Sequence, residues 1–146
     1  MIIPSLSAAR TMCEVRNWRI SNLELQKLLF LAQMTALGRS DGQISLVNNS
    51  FEAWDYGPVL PTVYHRAKAF GSKNVPNVFR IAEPYSDERR NIIEEVANEF
   101  AGWEAGQLVS LTHRDGGAWA THYIPGTRGI RIPTEDIIEE YRDLVD

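Results

Sequence analysis

The most regular pattern of apolar residues in the chain lies between Ser21 and Gly38. Within it, apolar side chains recur three or four positions apart: Leu25, Leu28, Leu29, Ala32, Ala36 and Leu37. This spacing predicts an amphipathic helix with one apolar stripe against the core. Ser21 and Glu24 have the spacing of a capping box, in which each side chain accepts from a free backbone N–H at the helix start. Gly38 provides the expected stop.

Five further segments carry helical signals, and turns separate them. They run from about Ser5 to Asn17, from Pro61 to Phe70, from the cap at Ser86–Glu88 onward, from about Glu104 to Thr112, and from Thr134 through the last residues. Phe51–Trp54 and Ile130–Ile132 are the candidate strands, and residues 113–119 are interpreted as a glycine-rich loop. We therefore predict a mainly α (α+β) fold, a compact bundle of about six helices with a small two-stranded β element.

Composition narrows the class of protein. A chain of 146 residues, 44% hydrophobic and 23% charged, is typical of one globular domain, here residues 1–146. Its net charge, 15 − 19 = −4, argues against a nucleic-acid partner, because phosphate binding depends on clustered Lys and Arg. The sequence has one cysteine, Cys13, no signal-peptide pattern and no apolar run of membrane-spanning length. We expect a cytoplasmic protein without membrane contact.

Motifs for catalysis, metals or cofactors are weak. His113, Asp115 and His122 could serve a small hydrolase or a metal-dependent enzyme, and Cys13 could be a nucleophile, but Cys13 falls on an apolar helical face. The sequence has no H-E-x-x-H, no C-x-x-C and no P-loop. We expect no enzyme activity, no metal and no cofactor, and we keep the hydrolase or metal enzyme as an alternative.

A second alternative is a transcriptional regulator. The segments Ser5–Asn17 and Ser21–Leu37, joined by a short turn at Trp18–Ile20, have the order of a helix–turn–helix. Two features weigh against this interpretation. The chain is acidic, and the second helix is so apolar that few side chains are left to contact base edges.

Two groups of segments together resemble a known family. The first group is LQKLLFLAQ at 25–33, FEAWDYGPV at 51–59 and VY at 63–64; the second is LTH at 111–113, GAW at 117–119 and Ile132-Pro133 with Ile137 and Tyr141. In combination they resemble the Panacea domain family of bacterial and phage antitoxins. The resemblance implies a non-enzymatic antitoxin that binds a cognate protein toxin encoded by an adjacent gene. In the SocA-like branch, which a lone domain of this size fits, the antitoxin also hands the toxin to the protease ClpXP.

The stretch FEAWDYGPVLPTVY, residues 51–64, places several aromatic residues around a Tyr-Gly-Pro turn. Gly57 can adopt backbone angles that other residues avoid, and Pro58 fixes the exit, so the turn holds its side chains rigidly. Rigid aromatics lose little entropy on binding. The expected toxin-binding residues are on and near this turn: Tyr56, Gly57, Pro58, Val59, Tyr64 and Arg66.

The other motif residues are expected to be mainly structural. Gln26 and Lys27 are interpreted as a solvated helix face with a Glu24–Lys27 pair, the alternative being contact with Asp55 or with acidic groups of the partner. Trp54 is expected in the core. Thr112 and His113 are expected to cap a helix or to bond to the 54–56 loop. Trp119 is expected to pack beneath that loop, so that both groups of motifs meet at one surface.

Overall fold

The computed structural model describes residues 4–145, which form seven α-helices, one 3₁₀ turn and one β-hairpin. The mainly helical fold with a two-stranded β element is therefore confirmed. The elements are α1 (Ser5–Val15), α2 (Asn22–Arg39), β1 (Glu52–Trp54), β2 (Gly57–Val59), α3 (Pro61–Ala67), the 3₁₀ turn (Lys68–Phe70), α4 (Glu88–Glu99), α5 (Ala105–Thr112), α6 (Ala118–His122) and α7 (Thr134–Val145).

Helix α2 begins at the predicted capping box. Ser21 Oγ accepts from the Glu24 backbone N–H at 3.2 Å, and the Ser21 N–H donates to Glu24 Oε1 at 2.9 Å. The helix does not end at Gly38, as predicted, but continues to Arg39. The chain then leaves through Gly42, which has φ = 85° and donates its N–H to the Leu37 carbonyl.

The predicted apolar stripe of α2 is buried, but the buried surface extends beyond it, because this helix is surrounded. Thirteen of its 18 residues are buried, including Phe30, Leu31 and Met34 outside the stripe. Helices α1, α4, α5 and α7 and strand β2 all pack against it. A helix in the centre of a domain needs apolar residues all round, which is what α2 carries.

The hairpin differs from the strand prediction. β1 forms a hairpin with β2, which was not predicted as a strand, in the register Glu52–Val59, Ala53–Pro58 and Trp54–Gly57. The other predicted segment, Ile130–Ile132, lies on the opposite edge of β1 and joins it through a single antiparallel bridge between Glu52 and Arg131, where the Ala53 N–H donates to the Ile130 carbonyl at 2.9 Å. Pro58 was predicted only to fix the exit of the turn, and proline has no N–H for a ladder. Its place opposite Ala53 is one where the ladder needs no donor, because antiparallel pairs alternate between bonded and non-bonded.

One short helix was missed. Residues 118–122, which begin within the segment 113–119 interpreted as a glycine-rich loop, form α6, which follows directly on Gly117. Among the described residues, no helix is both long and apolar enough to cross a membrane.

Candidate partner-binding site

Lys27 lies beneath the Tyr-Gly-Pro turn and is fully buried, with 0% of its surface exposed. Its Nζ donates to the Pro58 carbonyl at 2.9 Å. That carbonyl points away from β1, so it needs a donor from the α2 side, and Lys27 supplies one. The prediction that Lys27 belongs to a solvated helix face was therefore wrong. Glu24 does not pair with Lys27, and its carboxylate accepts instead from the Ser21 N–H at the start of the helix.

Gly57 is fixed by the same arrangement. Its φ of 112° lies where L side chains are rarely found, and a Cβ at this position would come 2.7 Å from Lys27 Cε and 3.2 Å from Thr112 Oγ1. The turn therefore needs glycine for both its conformation and its contact with Lys27. Thr112 is buried, and its own hydroxyl donates to the Val109 carbonyl at 3.0 Å near the end of α5.

Gln26 also points inward, contrary to the prediction of a solvated face. It is 1% exposed. Its Oε1 accepts from the Leu60 N–H at 2.8 Å, just before α3, and its Nε2 donates to Asn22 Oδ1 at 3.1 Å. Neighbouring polar residues of α2 thus hold both the hairpin and the start of α3.

Little positive charge is stabilised under the turn. Burial lowers the pKa of Lys27 to about 7. Burial of the His113 ring, and then the charge of Lys27, lower the pKa of His113 as well. His113 Nε2 is buried and, among residues 4–145, has no hydrogen-bond partner. Both groups are therefore protonated less readily than they would be in solvent, and Lys27 titrates close to neutral pH.

The second group of motifs meets the first through Trp119. Its indole N–H donates to the Trp54 carbonyl at 2.7 Å. Its ring is stacked between His113, with centroids 3.6 Å apart, and Tyr123, with centroids 4.5 Å apart. The Tyr123 hydroxyl donates to Asp55 Oδ1 at 2.6 Å. Asp55 is thus bonded to Tyr123 and not to Lys27.

Helix α6, which carries Trp119, is held in turn by α7. Glu140 is 2% exposed, and its Oε1 accepts from the Ala118 N–H at 2.9 Å. Arg114 Nη1 lies 3.7 Å from the other carboxylate oxygen, yet burial still raises the pKa of Glu140. Gly117 leaves room for this carboxylate, since a Cβ there would come 2.7 Å from Glu140 Oε2.

A cavity of about 490 Å³ opens beside the turn, and we call it the Trp54 cavity. Leu23, Trp54, Tyr56, Val59, Tyr64 and Arg128 form much of its wall, and Gln26 and Lys27 border it from α2. Trp54 lies at the edge of the core and is half-buried, not fully buried as expected. Its N–H donates to Glu52 Oε1 at 2.9 Å, Tyr64 packs against its ring, and the Arg128 guanidinium lies 4.4 Å from the ring centre.

The residues predicted to face the toxin fall into two groups. Tyr56, which is 72% exposed, and Arg66 reach solvent, and Tyr64 is half-buried in the cavity wall. Arg66 lies outside the cavity lining, with Nη1 3.4 Å from the Val78 carbonyl. The other three, Gly57, Pro58 and Val59, are buried because β2 packs against α2. Gly57 and Pro58 therefore shape the turn, and Val59 presents only a small area to the cavity.

The family model described as "Antitoxin SocA-like, Panacea domain" matches residues 25–120. The chain belongs to this family. A curated relative, Antitoxin SocA of Caulobacter vibrioides (strain NA1000 / CB15N), is 36% identical over 138 residues, which cover 84% of this chain and 72% of the relative. No solved structure matched the chain. Membership of the family supports an antitoxin role.

The matched Panacea segment contains most of the site. It runs from α2 through the hairpin and α3 to Trp119, and so includes Lys27, the turn and the aromatic wall. Arg128 and Glu140 lie beyond this segment, and neither was predicted as a site residue. Arg128 contacts Trp54, which lies 74 positions earlier in the sequence. The only local feature around Arg128 is a turn, in which Gly126 and Gly129 have positive φ.

The residues of the enzyme alternative do not form one site. His113 is stacked on Trp119, Asp115 is exposed, and His122 Nε2 lies 2.5 Å from Asp136 on α7. Burial raises the pKa of Cys13 to about 12, which leaves a poorly nucleophilic thiol. Among residues 4–145, no cluster of His, Cys, Asp and Glu has the geometry to hold a metal ion.

The burial of α2 also weighs against the regulator alternative. A recognition helix must present one face to the major groove. In α2 the most accessible residue is Arg39 at its C-terminal end, and the first turn is occupied by the capping box and the cavity wall. No exposed row of side chains along α2 is left to contact bases.

Proposed function

We propose that this Panacea protein is an antitoxin that binds the protein toxin encoded by an adjacent gene and neutralises it by direct contact, without catalysis. The observation that carries this proposal is the exposure of Tyr56 on an otherwise rigid turn. Lys27 and Trp119 hold the turn from below through two backbone carbonyls, while Tyr56 remains 72% exposed. A large aromatic side chain held out in this way is suited to fill a pocket on a partner.

The proposed toxin-binding surface is centred on Tyr56 and Tyr64, with Arg66 beside them. Gly57 and Pro58 contribute by setting the conformation of the turn, and Val59 by closing one side of the Trp54 cavity. An acidic substitution of Val59 would be a poor test, because this side chain is only 5% exposed and the charge would disturb the packing of β2.

The first experiment is co-expression of the chain with the product of each neighbouring gene, scored by growth and by co-purification. We expect one neighbour to be toxic alone and harmless, in a stable complex, with the chain. Tyr56→Ala should weaken the complex. Ile81→Ala is a matched control, because Ile81 is 74% exposed but lies away from the turn. Toxicity from neither neighbour, with no complex, would contradict the proposal.

We propose, as a finer step, that neutralisation proceeds in the cytoplasm through delivery of the toxin to ClpXP. An adaptor needs a second surface besides the one that holds its cargo. Helix α7 offers one, with acidic residues along its length and Leu144 and Val145 exposed near its end; Asp146 lies outside the described residues. The toxin's half-life should lengthen several-fold in cells that lack ClpX. An unchanged half-life would leave neutralisation by sequestration alone.

A further inference from the structure

The Trp54 cavity has the size of a binding site and aromatic walls. Its volume of about 490 Å³ falls in the range of pockets that hold small ligands or large side chains. Trp54, Tyr56 and Tyr64 come from the hairpin and α3, and the segment around Arg128 closes the opposite side. These walls favour a flat apolar group, since aromatic rings pack well edge-to-face or offset.

The charges around the cavity favour an anion, although the whole chain carries −4. Two exposed lining residues are basic, Lys68 and Arg128, and one is acidic, Asp55; the buried Lys27, with its pKa lowered to about 7, is not counted here. Asp55 already accepts a hydrogen bond from Tyr123. Among the residues that the structure describes, neither Lys68 nor Arg128 has a carboxylate within ion-pair distance. Both exposed cations are therefore available to a negatively charged ligand.

Trp54, the central residue of the cavity wall, is held in position by contacts within the protein. The Trp54 indole is fixed at its N–H by Glu52, at its ring by Tyr64 with centroids 4.8 Å apart, and by the guanidinium of Arg128. Its backbone carbonyl is bonded to Trp119. A wall that is already ordered loses little conformational entropy on binding.

We propose that the Trp54 cavity receives one apolar, preferably aromatic, side chain of the toxin that has a carboxylate next to it. The apolar group lies against Trp54 and Tyr64, and the carboxylate pairs with Arg128 and Lys68 at the rim. This inference rests on the proposed antitoxin function and adds to it the chemistry of the partner's anchoring residue. Tyr56, on the same wall, contacts the toxin outside the cavity.

Two small molecules of the same shape and opposite charge test this chemistry without the toxin. Indole-3-acetate and tryptamine are titrated against the protein while NMR follows the indole N–H signal of Trp54, identified by its loss in Trp54→Phe. Indole-3-acetate should shift this signal at concentrations about tenfold lower than tryptamine. Arg128→Glu should reverse the preference, whereas Arg80→Glu, a charge reversal at an exposed position outside the cavity lining, should leave it unchanged. Equal response to both probes would overturn the inference.

The toxin itself is then tested against variants that act only at the cavity. The double variant Lys68→Glu/Arg128→Glu reverses the rim charges, and Ser72→Trp fills the cavity from an exposed lining position. Each should weaken the complex about tenfold or more. Arg80→Glu and Ser50→Trp are the controls, since both sites are exposed and outside the lining, and their affinities should stay within about twofold of the wild type.

The outcomes separate the two proposals. If the cavity variants bind and neutralise the toxin as well as the wild type, the anchor inference fails while the antitoxin function stands. If indole-3-acetate binds with the expected preference but the toxin is indifferent to every cavity variant, the cavity is a small-molecule site and the inference also fails. If the wild-type chain neither binds nor neutralises the product of a neighbouring gene, the proposed function fails, and the inference with it.

Discussion

Two polar side chains of α2, Gln33 and Lys27, each hold a loop against the buried helix, but their chemistry differs. Gln33 Nε2 donates to Ser45 Oγ and to the Val47 carbonyl, and its Oε1 accepts from the Leu46 N–H at 2.6 Å. This amide is neutral and is satisfied as both donor and acceptor. Lys27 donates to one carbonyl, that of Pro58, and its burial makes the charged form costly.

Of these two anchors, Lys27 is the less favourable for stability. A neutral amide does the same mechanical task at lower cost, because burying a charge requires partners that only excellent geometry provides. The loop under Gln33 carries no exposed aromatic residue, whereas the loop over Lys27 carries Tyr56 and borders the Trp54 cavity. The more costly anchor therefore lies at the candidate binding site, and the following predictions test this contrast.

The largest effect is expected from Gly57→Ala, which places a methyl group against Lys27 Cε in a backbone conformation of positive φ. We expect a loss of about 3–5 kcal/mol in the free energy of unfolding, measured by urea denaturation. Gly102→Ala is the control. Gly102 also has positive φ, but no atom lies within 4 Å of its added Cβ. This variant should lose only about 1–2 kcal/mol, and equal losses in the two variants would show that Lys27 does not constrain the turn.

The next effect is expected from Gln33→Met, which keeps the length of the side chain but leaves the Leu46 N–H unpaired and removes one of the two donors to the Val47 carbonyl. We expect a loss of about 2–4 kcal/mol in the free energy of unfolding. Because no titratable group is involved, the loss should be the same at about pH 6.5 and about pH 9. A loss that varied with pH would remove the contrast with Lys27.

Lys27→Met should show the opposite, pH-dependent behaviour. The folded pKa of Lys27 is about 7, against an ordinary value of 10.5, so between these values the unfolded chain binds more protons than the folded one. Wild-type stability from this group therefore rises with pH above 7 and is lost as pH falls toward 7. At about pH 9 the variant, which leaves the Pro58 carbonyl unpaired, should be less stable by about 1–3 kcal/mol.

The same comparison at lower pH provides the check. Since each pKa unit corresponds to about 1.4 kcal/mol, the difference between wild type and Lys27→Met should shrink by about 2–3 kcal/mol from pH 9 to pH 6.5. Because the charge of Lys27 contributes to the lowered pKa of His113, both proteins are compared in a His113→Gln background, where this group does not titrate. Parallel stability curves over this range would mean that Lys27 keeps an ordinary pKa in the folded protein.

The smallest effect is expected from Tyr123→Phe, which removes the hydroxyl that donates to Asp55. Stability should hardly change, because Asp55 is exposed. The unpaired carboxylate should, however, weaken the binding of indole-3-acetate about twofold by repulsion, as followed by the Trp54 signal. Asp55→Asn in the same background should restore the affinity. If neither change alters the affinity for indole-3-acetate, Asp55 does not contribute to the electrostatics of the cavity.

Local signals allowed the sequence to predict much of the helical framework. The Ser21–Glu24 capping box, Pro61 at the start of α3 and Asp87 before α4 all act within one helical turn, and each marks the observed start. The hairpin was less accessible to sequence reasoning. A proline normally ends a strand, and only the pairing of Ala53 with Pro58 shows why this one is tolerated.

The inner face of the site could not be predicted because it depends on contacts between distant positions. A lysine on a helix is usually solvated, and Lys27 is buried only because the Pro58 carbonyl, 31 positions away, faces it. Arg128 lies 74 positions from Trp54. Nothing in their immediate neighbours indicates either contact. Tyr56 was predicted as a toxin-binding residue on the turn, and its 72% exposure is compatible with that prediction.

The bond between Glu140 and the Ala118 N–H links the last helix mechanically to the binding site. From α7 the connection passes through α6 to the Trp119 indole and on to the Trp54 carbonyl, so that two hydrogen bonds join the C-terminal helix to the cavity wall. Because α7 also packs directly on α2, a displacement of this helix would disturb the cavity wall and the central helix together.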